Sequence, residues 1–162
     1  MAQMETEQAG MTKIRVLIVD DSPCMRDSLR TALSFDPALE IAGEAVDGAE
    51  AVKMAAHLQP DVVLVDLEMP LGDGYVSMQE LTERRLARAV VALSIHSDAA
   101  SRARARAAGA TVFLPKGTPI GPLATAVRRA GEQATPRRTG ESTARRAFQM
   151  RSWALPAAAP AS

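Results

Sequence analysis

Short apolar runs rich in β-branched residues recur along this chain, and each is followed by a segment with helical periodicity. Ile14 to Val19 is apolar apart from Arg15, and Val62 to Val65 is apolar throughout. Both read as strands buried on two faces, the signature of a parallel sheet covered by helices. Val90 to Leu93 and Thr111 to Leu114 have the same character, and Leu39 to Ala42 is a weaker fifth run.

The intervening segments carry legible helix punctuation. Ser22 followed by Pro23 is an N-cap with proline at the first helical position, and Met25, Leu29 and Leu33 then recur every fourth residue. Asp47 and Glu50 have capping-box spacing ahead of Val52, Ala55 and Ala56, with an end expected near Gln59 and Pro60. Gly74 to Glu83 presents Tyr75, Met78 and Leu81, and Asp98 to Ala108 stops at Gly109, a natural C-terminal glycine. A last helix is expected from about Thr118, with Ile120, Leu123, Ala124 and Val127 on one face. Pro119 and Pro122 fit its first turn, where amides lack intrahelical partners.

Strand and helix thus alternate with short connections. Parallel neighbours need right-handed helical crossovers, so the pattern predicts an α/β fold: a doubly wound, five-stranded parallel sheet flanked by five helices. One domain over residues 13–131 accounts for this. Residues 1–12 are polar and acidic, and residues 132–162 are dominated by Ala, Arg, Pro, Thr and Ser without an apolar period; both read as disordered tails. The 162 residues, 47% of them hydrophobic, suffice for one good core. Nineteen basic and nineteen acidic side chains cancel, which argues against steering of the whole molecule to nucleic acid or an anionic membrane. With a lone Cys24, no long apolar run and no signal-like start, a reduced, cytoplasmic protein is expected.

Asp20 and Asp21 close the first expected strand and Asp66 closes the third. In an open parallel sheet, strand ends flanking the reversal of winding direction form the ligand crevice. Carboxylates converging there repel or raise one another's pKa unless a cation sits among them, and a hard, oxygen-seeking ion such as Mg²⁺ suits the site.

Val19-Asp20-Asp21-Ser22, then Asp66-Leu67-Glu68-Met69-Pro70 with Gly74 following, then Leu93-Ser94, then Phe113-Leu114-Pro115-Lys116, form an ordered set. It resembles the signature of response-regulator receivers (CheY-like) of two-component signalling, over about Lys13 to Arg129. The resemblance implies the phosphoacceptor role for Asp66, whose carboxylate would attack phosphorus in line to form an acyl phosphate. It implies Asp21 as a direct Mg²⁺ ligand, Asp20 as a ligand through water or a helper, and the Glu68 backbone carbonyl as a further ligand. Lys116 would pair with the acyl-phosphate oxygens. Ser94 would turn inward to the phosphoryl group while Phe113 moves from exposed to buried, with the readout on the fourth helix, fifth strand and fifth helix. Taken alone, Ser94 is a strand-end serine capping its neighbour and Phe113 an ordinary core aromatic.

The sequence departs from the family at Gly117, where many members have proline, and in a shortened spacing from Asp66 to Ser94. The first half is most similar to receivers joined to a helix-turn-helix or a methylesterase, and neither output domain is expected in the remainder. The implied activity is a single-domain response regulator. It takes phosphate from a sensor histidine kinase or histidine phosphotransfer protein and switches binding to a downstream protein target. A phosphorylation-dependent homodimer is a further form the output could take, and catalysis would be limited to its own Mg²⁺-dependent phosphorylation and dephosphorylation. Two alternatives stand beside it. One is a phosphorylation-independent docking platform acting through the tail, where Arg137, Arg138, Arg145, Arg146 and Arg151 are interleaved with Phe148 and Trp153. The other is a phosphohydrolase with an aspartyl nucleophile, which usually carries an aspartate where Glu68 stands. His57, His96 and Cys24 receive no role.

Overall fold

The computed structural model describes residues 12–70 and 73–134. Five strands alternate with five helices: β1 (Ile14–Val19), α1 (Pro23–Ser34), β2 (Leu39–Ala45), α2 (Gly48–Leu58), β3 (Val62–Asp66), α3 (Asp73–Glu83), β4 (Ala89–Ser94), α4 (Ala99–Ala107), β5 (Val112–Pro115) and α5 (Ile120–Gln133). The strands form one parallel sheet in the order β2-β1-β3-β4-β5. From β1 the chain winds outward to β2 and then returns to the other side for β3, so the winding reverses between β1 and β3. The expected α/β architecture is the observed one, and both tails expected from the sequence lie outside the described residues, apart from Thr12 and residues 132–134.

Both faces of the sheet are covered, which is why its central strands read as continuous apolar runs. Val16 and Ile18 of β1 join Val62 and Leu64 of β3 in a core with Leu29, Leu33, Leu123 and Val127 of α1 and α5. Leu17 and Val19, with Val63 and Val65, face the opposite way, toward Val52, Ala55, Met78 and Leu81 of α2 and α3. One-residue alternation thus feeds two cores from the same strand.

β2 extends beyond the expected Ala42, and the reason is a register shift. Val16 pairs with Ile41 but Leu17 pairs with Gly43, leaving Ala42 as an extra residue. Such a bulge turns the following residues over. Leu39 and Ile41 pack with the α1 and α5 layer, whereas Ala45 packs with the α2 and α3 layer and Gly43 faces Met54 and Leu58 of α2.

The helix caps follow the sequence signals. Ser22 Oγ accepts the Met25 amide at 3.3 Å, and Asp47 Oδ1 accepts the Glu50 amide at 2.8 Å. Glu50 reaches back to the Val46 amide at 2.8 Å, one residue earlier than in the usual capping box. Asp98 caps α4 through the Ser101 amide at 2.9 Å. α5 starts at Ile120 after Pro119, slightly later than expected, and continues to Gln133.

Candidate functional site

The ends of β1 and β3 lie side by side, since Val19 is registered with Val65. That register brings Asp20 and Asp21 beside Asp66, with one carboxylate oxygen from each within 4.8 Å of the others. Asp20 and Asp66 are 0% and 1% exposed, while Asp21 faces solvent. The crevice sits at the winding reversal, the place where parallel sheets of this kind bind ligands.

Asp66 is held at both oxygens. Its Oδ1 accepts the Glu68 amide at 2.9 Å, and its Oδ2 meets Lys116 Nζ at 2.8 Å. Lys116 comes from the end of β5, and its amide donates to the Ser94 carbonyl at 2.7 Å, fixing the chain beside β4. Directly after it, Gly117 takes φ +93°, closing a turn in which the Thr118 amide donates to the Pro115 carbonyl at 3.1 Å. A side chain would strain that backbone, so the glycine found where family members often carry proline is required by this turn.

Asp20 Oδ1 accepts the Ser22 amide at 2.9 Å, but Oδ2 has no hydrogen-bond donor among the described residues and lies 3.8 Å from Lys116 Nζ. Burial pushes the Asp20 carboxyl above the ordinary carboxylate value; the Ser22 amide opposes this, and the Asp66 and Asp21 charges add to the rise. For Lys116, burial alone would lower the pKa, yet the hydrogen bond and charge of Asp66, with Asp20 and Glu68, raise it. Lys116 therefore stays an ammonium at neutral pH. The Asp20 and Asp66 carboxylates lie 3.8 and 2.8 Å from this ammonium, Asp21 lies beside them, and the three offer only oxygen ligands. An orphaned buried oxygen in an oxygen-only cluster fits a hard divalent cation of the Mg²⁺ type.

Ser94 ends β4 and is fully buried. Its hydroxyl donates to Glu68 Oε1 and accepts the His96 amide at 3.0 Å, while Glu68 Oε2 accepts the Ile95 amide at 3.1 Å. The sequence reading gave Glu68 a role only through its backbone carbonyl; its side chain is in fact tied to β4. Phe113 is half-buried against the α2 and α3 side core, with the Arg102 guanidinium of α4 5.1 Å from its ring centre. His96, His57 and Cys24 are exposed. Gly74 of α3 backs onto the site, because a Cβ there would lie 2.4 Å from the Asp66 carbonyl oxygen and 2.7 Å from Leu67 Cα.

Fold and crevice together define the receiver class of α/β signalling proteins. The family model of the response regulator receiver domain matches residues 16–128, and the chain belongs to that family. Among curated relatives, a protein-glutamate methylesterase/protein-glutamine glutaminase of Shewanella denitrificans is 42% identical over 104 residues, covering 64% of this chain and 27% of that protein. One of Symbiobacterium thermophilum is 44% identical over 105 residues, covering 64% and 29%. The chain thus spans under a third of the length of these relatives. Among solved structures, the response regulator domain of Thermotoga maritima CheB superposes with a TM-score of 0.70 at 31% identity, covering 77% of this chain and 100% of that one. A CheY-like receiver of Methanospirillum hungatei, 18% identical, shares the fold with a TM-score of 0.67 over 75% of this chain and 96% of its own. Among the described residues, no helix is long and apolar enough to cross a membrane.

Proposed function

We propose that this chain is a phosphorylation switch in which Asp66 accepts a phosphoryl group from a histidine kinase or histidine phosphotransfer protein. The observation that carries this reading is the Asp66 carboxylate itself, buried at the winding reversal, bonded to an ammonium and grouped with two further carboxylates. A carboxylate oxygen of Asp66 would form a bond to phosphorus as the bond from phosphorus to the donor's histidine nitrogen breaks, its electron pair leaving on that nitrogen. Asp20, Asp21, Asp66 and the Glu68 carbonyl would hold Mg²⁺, which supplies charge neutralisation for the incoming phosphate. Lys116, already 2.8 Å from Asp66, would follow the negative charge onto the phosphoryl oxygens.

Ser94 would then donate a hydrogen bond to a phosphoryl oxygen, and Phe113 would move further into the core, changing the surface built from α4, β5 and α5. The output is phosphorylation-dependent binding to a protein target, in the cytoplasm. Similarity to methylesterases is confined to their receiver region, so no esterase chemistry is assigned to this chain.

The test is intact mass after incubation with Mg²⁺ and acetyl phosphate, for wild type, Asp66→Asn and an EDTA control. A single phosphoryl adduct on wild type, lost in the variant and with EDTA, is expected. An adduct that survives Asp66→Asn, or none on folded wild type, refutes the reading. Phosphomonoester turnover would instead favour the hydrolase alternative, although such enzymes usually carry an aspartate where Glu68 stands.

A further inference from the structure

We infer that the Glu68 side chain is a positioning residue that restrains Ser94, competing with the phosphoryl group on Asp66 for the one hydroxyl proton Ser94 carries. This rests on the phosphoacceptor reading above and adds a brake to it.

A serine hydroxyl has a single proton to donate. Here that proton goes to Glu68 Oε1, while the oxygen's acceptor side is taken by the His96 amide at 3.0 Å. A phosphoryl oxygen can only accept, so it competes with the carboxylate that already accepts the Ser94 hydrogen bond. The Glu68 carboxylate is also anchored a second time, by the Ile95 amide at 3.1 Å, so it spans consecutive residues where the chain leaves β4. Its own backbone amide is bonded to Asp66 Oδ1 at 2.9 Å. One short segment therefore connects the acceptor carboxylate to the switch hydroxyl, and the contact that keeps Ser94 from Asp66 comes from two residues beyond Asp66 itself.

Phosphorylation has to break this contact, and the released Glu68 carboxylate is then a like charge near the phosphoryl group. Removing the side chain should free the Ser94 proton in advance and lift that repulsion. The two effects separate in a double-mutant cycle, because only the first runs through Ser94.

The experiment measures initial labelling rates with Mg²⁺ and acetyl phosphate, by intact mass, for wild type, Glu68→Ala, Glu68→Gln, Ser94→Ala and Glu68→Ala/Ser94→Ala. Glu68→Ala is expected to label about three-fold faster or more, a gain that shrinks in the Ser94→Ala background to the part due to lost repulsion. Glu68→Gln, which keeps an acceptor for Ser94, should fall between wild type and Glu68→Ala. Amide resonances of Ile95 and His96 in unphosphorylated Glu68→Ala should shift toward their positions in phosphorylated wild type, a signature that a merely structural role would not give. An unchanged or slower rate, or equal acceleration with and without Ser94, overturns the brake while leaving Asp66 as acceptor. No adduct on folded wild type overturns the acceptor reading and the brake with it.

Discussion

Asp20 is fully buried, accepts one amide hydrogen bond and keeps its second oxygen without a donor among the described residues. Folding alone gains nothing from such a charge. Its carboxyl binds a proton more readily in the folded chain than in the unfolded one, so without metal its contribution to stability falls as pH rises above the ordinary value of 3.8. Asp20→Asn should therefore melt higher than wild type in EDTA at neutral pH, and the difference should shrink on acidification through the carboxylate range. The same variant should lose most of the thermal shift that Mg²⁺ gives wild type; melting curves with and without Mg²⁺ check both. Lys116→Met has the opposite sign, leaving the buried Asp66 oxygen without its donor, at a cost of about 1–3 kcal/mol by denaturant titration. The acidic residues and Lys116 were legible because short motifs at strand ends report them directly. The engagement of Glu68 with Ser94 was not, because it depends on which way a carboxylate turns across 26 residues of sequence separation.

Helices here were easier to read than strand ends. Ser22, Asp47 and Asp98 each accept an amide from the first turn, as their residue types imply. For α4 the cap matters most, since Ala105 is its only buried residue. Asp98→Ala should cost about 1 kcal/mol, seen chiefly as faster hydrogen exchange of α4 amides. Gly74 belongs to the same scale: α3 approaches the loop after β3 closely enough that Gly74→Ala forces a shift, costing about 1–3 kcal/mol in a denaturant titration and slowing labelling at Asp66. That approach left no trace in the local pattern, because the glycine's neighbour is a backbone from another element. β2 was legible only as far as Ala42, where its alternation breaks at the bulge.

For the whole molecule, alternation of strands and helices was enough to predict the sheet, and the sheet's winding reversal then fixed where the carboxylates meet. A bound divalent cation should stabilise the folded chain by mass action, about 2.7 kcal/mol when its concentration is a hundred times Kd. The order β2-β1-β3-β4-β5 also puts β2 at the rim, away from the Asp66 strand. Ala42 is the surplus residue of that rim strand, and Ile41 and Gly43 on either side of it face opposite layers, as adjacent residues of a regular strand do. A chain lacking Ala42 could restore simple alternation while keeping Leu17 opposite Gly43 and Val19 opposite Ala45. The bulge is thus where the rim strand can lose one residue and still keep the Ala45 carbonyl bonded to the Asp20 amide, so that the acidic crevice stays in place.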